Sequence, residues 1–388
     1  MTRALSLSGS SASLSRSLDL AVEPVAALAA ETTAWDALAV RAVAPHPFYA
    51  RAVVAAHRAH GLCAPRLSAV VVRERGHIAA LLPFVLRPDI TGLGAAVAQP
   101  FHSPYVTSTT PLVADGPGLE SRLDALVEGL ALASGGRPWR WPLLAVETRL
   151  GAGLLAAMGR AGWQTGNVAQ FERPVLDRRG DYDAFLAGHP HKGRLKDLRR
   201  RRRRLEEAGA LIVESATEGA ALERALEDFL ALEAGGWKGE AGTALRSRPR
   251  TEAFARALFR PQEGPVTVRA DGLRLDGRTV AASLALVCGG TAYLLKTAYD
   301  EGLRAQAPGL VLEDAIVRAL HAEGFAGRLD SATMPGSALE SLYPERETIA
   351  EIIALPPGAG RISLERRLRL ARFEHRAKAE AKRLLRRG

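Results

Sequence analysis

Hydrophobic and polar residues alternate over 266–275 and 280–288, on either side of Asp276-Gly277, a dipeptide suited to a tight β-hairpin turn. A third strand at 291–298 follows Gly289-Gly290 and ends at Tyr299-Asp300. A loop with Pro308-Gly309 opens into an amphipathic helix over 310–323, which Gly324 closes. A strand through Leu329-Asp330, a small helix near 337–342 and a last strand at 348–355 complete this stretch.

The first half of the chain repeats the order. Runs at 67–73 and 78–86 flank a second hairpin signal, Glu74-Arg75-Gly76-His77. A Gly/Pro/Thr-rich loop (91–111) leads to a strand near Leu112-Val113, a helix at 119–133, a strand at 141–146, a helix at 151–161 and an extended run at 164–176. Helices are also expected at 34–38 and 47–60. The halves read as diverged copies of one α/β unit of roughly 150 residues. Between them the pattern predicts a long helix over 182–208, with Leu195, Leu198 and Leu205 on a stripe that Arg202 interrupts. A helix at 214–233, a glycine-rich loop at 235–243 and a helix at 251–259 follow.

Charge changes the picture in two places. The net charge of +10 comes from residues 192–204 and 361–388, which carry +8 each and leave −6 on the remainder. The six arginines at 199–204 point all round a helix and have no aromatic residues among them, which argues against nucleic acid. The basic tail has a thin apolar stripe (Leu370, Phe373, Ala377, Ala381, Leu384), which leaves a weak peripheral membrane contact open. No apolar run is long enough to span a membrane, and the serine-rich residues 1–20 read as a disordered leader. Cys63 and Cys288 sit among apolar neighbours, as free thiols in a reducing cytoplasm would. His57 and His60 have helical spacing but no partner set for a metal, so none is expected.

Candidate chemistry gathers at the end of the third strand. Lys296 and Ala298 should share one face there, Thr297 and Tyr299 the other. Asp300 and Asp330 are candidate proton acceptors, and each is equally a turn-forming residue. Tyr343 reads as core packing or as a general acid. The segment Gln306-Ala307-Pro308-Gly309-Leu310 starts a helix whose free N–H groups suit a diphosphate. Trp237-Lys238, in the glycine-rich loop, suits an acceptor site or a structural plug.

Taken in order, the Arg-rich helix ending Leu205-Glu206-Glu207-Ala208-Gly209, Trp237-Lys238-Gly239, Lys296 to Glu301, Pro308-Gly309 and Asp330-Ser331-Ala332 resemble CelD/BcsL-type acetyltransferases. These are a two-lobed branch of the GNAT superfamily, related in shape to the FemABX aminoacyltransferases. Only Gln306 and Gly309 fit the usual GNAT diphosphate loop, and a Tyr-Lys pair common after the Asp330 position is absent. The resemblance implies an α/β fold of two tandem GNAT-like units, each a mixed, mostly antiparallel sheet flanked by helices. It divides the chain into a leader (1–20), a degenerate N-terminal lobe (21–178), a catalytic lobe (179–358) and a basic helix (359–388).

The activity so implied is cytoplasmic, acetyl-CoA-dependent acyl transfer, without a metal, to an amine or hydroxyl of a small molecule or a cellulose, polysaccharide or envelope precursor admitted by a cleft between the lobes. Asp300, Asp330, Tyr299 and Lys296 would be catalytic. Gln306, Ala307, Gly309 and Leu310 would hold the co-substrate, and Trp237, Lys238 and Tyr343 the acceptor. An aminoacyltransferase using charged tRNA and a non-catalytic scaffold are the alternatives.

Overall fold

The computed structural model describes residues 18–360 and 362–385. In chain order the first half runs β1 (Leu18–Pro24), α1 (Val25–Leu28), α2 (Thr32–Arg41), α3 (Arg51–Ala59), β2 (Ser68–Glu74), β3 (His77–Pro88), β4 (Ala96–Pro100), β5 (Leu112–Val113), α4 (Leu119–Ser134), β6 (Trp139–Ala145), α5 (Arg149–Arg160) and β7 (Gln164–Asp177). Then come α6 (Tyr182–Gly188), α7 (Lys192–Ala208), β8 (Leu211–Ala216), α8 (Gly219–Ala234), α9 (Trp237–Glu240), α10 (Pro249–Leu258), β9 (Thr267–Leu275), β10 (Arg278–Cys288), β11 (Thr291–Tyr299), α11 (Pro308–Glu323), β12 (Arg328–Asp330), β13 (Glu345–Leu355) and α12 (Leu364–Leu385).

These elements form two compact units. The described part of the first comprises residues 18–51, 63–171 and 348–385, and the second comprises 52–62 and 172–347. Strand order is β1-β2-β3-β4-β6-β13 in the first, with β5 beside β3, and β8-β9-β10-β11-β12-β7 in the second. Each is a mixed sheet whose one parallel neighbour pair on that path, β4/β6 or β11/β12, sits among antiparallel pairs. The two units thus repeat one topology, in agreement with the expected fold.

The hairpins lie where the sequence put them. Arg75 and Gly76 have φ of 52° and 79°, and Asp276 and Gly277 have 50° and 79°, the left-handed pair that a two-residue turn between twisted strands requires. Helix α11 starts with Pro308 at its first position and ends at Gly324, φ 66°.

The boundaries differ from those expected. Of the leader, residues 1–17 lie outside the described residues, whereas Leu18–Leu20 pair with Val72–Glu74 in β1. The last strands are exchanged between the halves: β7 pairs with β12 through Val175–Asp177, and β13 pairs with β6 through Ile349–Ala354. Residues 52–62 join the second unit, where His57 rests on Phe254 with ring centroids 4.6 Å apart. The helix expected over 182–208 breaks around Pro190, which has no N–H to donate. Residues 214–216, expected to be helical, are strand, and β4 lies within the stretch expected to be a loop.

The core of the second unit forms where α7 and α11 pack together. Leu195, Leu198 and Leu205 join Leu312, Ile316, Val317 and Leu320 in one buried cluster. The arginines of α7 face outward and are partly neutralised within the helix: Asp197 takes Arg200 and Arg201, and Glu206 and Glu207 take Arg202 and Arg203. The leucines therefore dock this helix. Leu198→Ala should cost about 2–5 kcal/mol by urea denaturation. Arg203→Ala, whose side chain is 80% exposed, should stay within about 0.5 kcal/mol. Equal costs would contradict this reading.

Candidate functional site

The site begins with an interrupted strand pairing. Parallel strands β11 and β12 meet only at Thr291–Tyr293 and Arg328–Asp330. Past that point β12 turns away, with Ala332 in the left-handed region (φ 52°) and its N–H donating to Asp330 Oδ1 at 2.7 Å. β11 runs on to Tyr299, paired with β10 alone among the described residues. A register shift at Leu284/Ala285 leaves Leu295 as an extra residue on β11, a bulge of the kind that re-aims side chains. Beyond Tyr293, β11 and β12 diverge.

In the first unit the 101–110 segment bonds to the β6 side of the corresponding divergence. There β4 and β6 pair only at Ala98/Trp139. The Thr109 N–H donates to Leu143 O at 3.1 Å, its hydroxyl donates to Pro142 O, and Trp141 Nε1 donates to Thr109 O at 3.1 Å. Phe101, Val106, Thr109 and Thr110 are buried.

The two faces of β11 carry different chemistry, divided as alternation predicts. Lys296 and Ala298 pair across from Leu284 and Ala282, and Thr297 from Ser283. Burial holds the Lys296 ammonium below the usual lysine range; the Lys238 charge adds to this and Glu233 opposes it. Glu233, 4% exposed, accepts from Lys238 Nζ at 2.9 Å and from the Leu245 N–H at 2.8 Å. Trp237 and Lys238 sit on the helical turn α9 rather than in a loop, and Gly239 makes that turn possible: a Cβ there would lie 1.8 Å from Ala234 O. Trp237 is 58% exposed, and its N–H donates to Glu301 Oε1 at 2.9 Å. A groove lined by Glu233, Trp237, Lys238, Thr297, Tyr299 and Glu301 runs along this end of β11.

On the opposite face a polar row crosses the sheet. Ser215, Asp271, Ser283 and Thr297 are successive cross-strand partners on β8, β9, β10 and β11. Thr297 Oγ1 donates to Glu313 Oε1 at 3.3 Å, and the Tyr343 hydroxyl to Glu313 Oε2 at 3.4 Å. Glu313, on α11, is pushed up to about 8, chiefly by burial and then by the Asp271 charge, while the two hydrogen bonds act the other way. Asp271 is itself raised by burial despite its ion pair with Arg269 at 2.9 Å.

The remaining expected residues divide sharply. Ala307 (φ 48°) and Gly309 join β11 to α11, and a Cβ on Gly309 would lie 3.3 Å from Tyr299 Cδ1, so glycine permits the close approach. The N–H groups of Leu310 and Val311 donate to Ala307 O, and no side chain caps the helix. Gln306 Oε1 is buried with no hydrogen-bond partner. Arg201 from α7 donates to Ala305 O at 2.6 Å.

Asp300, a candidate base and equally a turn residue by sequence, holds a turn. Its Oδ1 caps Gly302 N–H at 2.8 Å and its Oδ2 takes Arg278. Asp330 is 4% exposed and spends one oxygen on the turn at Ala332, with Arg173 Nη1 3.8 Å from the other. Tyr343 is fully buried in the core cluster, so the expected acceptor contact gives way to packing. Local turn geometry and core volume claim these three side chains.

Glu313 and Glu233 were not anticipated. Each is a carboxylate on the apolar face of a helix, Glu313 one residue from Leu312 and three from Ile316, and Glu233 four from Phe229. That placement was the available signal. Because Glu313 stays protonated when folded but ionises in the unfolded chain above its ordinary value near 4.5, stability should fall as pH rises from 4.5 to 8. Glu313→Gln should flatten that fall and stabilise the protein at pH 8, on the order of a few kcal/mol. Parallel melting curves for both proteins would contradict the assignment.

Comparison with known proteins gives the class. Residues 192–333 match the family described as acetyltransferase (GNAT) domain. The chain is similar in fold to FemX, at 12% identity and a TM-score of 0.54, over 83% of this chain and 95% of that one. It is likewise similar to a conserved protein of unknown function from Bacteroides thetaiotaomicron, at 14% identity and a TM-score of 0.52, over 84% and 96%. No curated protein matches. Residues 192–333 of the second unit thus match a GNAT domain, a match that supports an acyltransferase enzyme.

Proposed function

We propose that the second unit transfers an acyl group, acetyl in the first instance, from acyl-CoA directly to an amine. The observation that carries this is that the β11/β12 pairing ends at Tyr293 and Asp330, so that β11 parts from β12 on its way to the start of α11, which no side chain caps. An extended, amide-bearing arm can add to β11 there as a strand would, and a diphosphate suits the α11 N-terminus beside Gln306, Ala307 and Gly309. The N–H groups of β11 would stabilise charge developing on a thioester oxygen.

Lys296, on the α8 face, is the candidate proton acceptor, because burial favours its neutral form. The amine nitrogen attacks the thioester carbon, the C–S bond breaks, and the proton released by the amine passes through Lys296 to the departing thiolate. Trp237 and Lys238 line the groove and would meet the acceptor there. Resemblance to the CelD/BcsL type suggests an acceptor from polysaccharide or envelope synthesis.

One observation favours a second reading. Exposed Lys196, Arg199 and Arg204 lie on the helix whose Arg201 reaches the 301–306 loop, so a tRNA-borne aminoacyl donor would find cations near the same opening. Calorimetric titration with acetyl-CoA, CoA and bulk tRNA separates the readings. We expect heat with both CoA species; heat with tRNA alone, falling steeply with salt, would replace the donor, and no heat at all would favour a scaffold. Lys296→Met should lower kcat about 10²- to 10⁴-fold with the donor Kd nearly unchanged. Gly309→Val, crowding Tyr299, should instead weaken donor binding.

A further inference from the structure

Helix α12 carries two apolar faces, and the fold uses only one. Its inward face places Leu364, Leu368 and Ala371 against Val168, Ile353 and Leu355. Polar contacts hold that side down: Glu374 pairs with Arg140 at 2.6 Å, His375 with Glu351 at 2.9 Å, and Arg372 donates to Asn167 O at 2.6 Å.

The second face is formed by Leu370, Phe373, Ala377, Ala381 and Leu384, at spacings of three and four that keep them on one side of a helix. Phe373 is 58% and Leu384 63% exposed, and every residue from Arg376 to Leu384 is exposed. An aromatic ring and a leucine held in water on a regular helix are not accounted for by packing within the unit. Arg369, Arg376 and Arg383, seven residues apart, line one flank of this stripe, and Lys378 and Lys382 lie beyond the other. Across α12, eight basic side chains stand against three acidic ones.

We infer that the outward face of α12 is a docking surface for an anionic lipid membrane. A helix of about 33 Å lying in the interface plane would bury the Phe373–Leu384 stripe among the acyl chains near the headgroups, while its flanking cations meet lipid phosphates. Charge decides the choice of partner: the stripe alone is too thin to hold a membrane, so binding must depend on lipid charge. A second copy of the chain would bring like-charged arginine lines together, which disfavours it. This inference is independent of the catalytic reading.

The test is co-sedimentation of the full chain with vesicles of phosphatidylcholine alone or with about 30 mol% phosphatidylglycerol. The expected result is binding to the anionic vesicles only, lost on raising salt from about 0.05 M to 0.5 M. Phe373→Glu combined with Leu384→Glu should reduce binding at least tenfold with unchanged far-UV circular dichroism, as should Arg376→Glu combined with Arg383→Glu. Equal partition to both vesicle types, or binding insensitive to both double variants, would overturn the proposal. So would a chain that stays in the supernatant and self-associates through Phe373.

Discussion

Three residue pairs hold β11 to β12, and the site depends on their stopping there. A parallel ladder continued along the rest of β11 would close the opening between the two strands. Two local features end it. Asp330 folds back onto the Ala332 N–H, which pulls β12 out of register, and the bulge at Leu295 turns β11. Asp330 thus shapes the opening through its bond to the Ala332 N–H. In the first unit Thr109 bonds to the β6 side of the corresponding divergence, at Leu143.

Around this opening, buried polar groups sort by face. The α8 side holds Lys296, Glu233 and Lys238, and the α11 side holds Thr297, Glu313, Asp271 and Tyr343. Charged groups are kept in a protein interior only when paired, hydrogen-bonded or neutralised. Arg269 pairs with Asp271, whereas Glu313 is kept neutral over most of the physiological range. Neutrality makes Glu313 compatible with a core that also contains Leu312 and Ile316, and it ties the stability of α11 to pH.

Much of the local structure was legible. Asp276-Gly277 and Arg75-Gly76 marked hairpins because few residues tolerate two successive positive φ angles. The stripe in 310–323 marked α11, and alternation divided Lys296 from Thr297 correctly. Illegible were the edge strands, β1 with mostly half-buried residues and β8 with mostly exposed ones, which carry little periodic signal, and the division of the chain into units. Strand order is set by pairing between residues far apart in sequence, so nothing within 164–177 or 345–355 announces that β7 and β13 join the other half's sheet.

By itself the sequence determined the repeated order of strands and helices, the hairpin turns, the leucine stripe of α7 and the junction at Gln306–Gly309, since each depends on neighbours a few residues apart. Only the tertiary structure decided that Asp300 is bound by Arg278 and Gly302, that Tyr343 is core, and that Glu313 faces Thr297 across a helix–sheet contact. A side chain's chemistry depends on its burial and partners. Arg278 lies 22 positions from Asp300 and Thr297 16 from Glu313, beyond the reach of a local pattern.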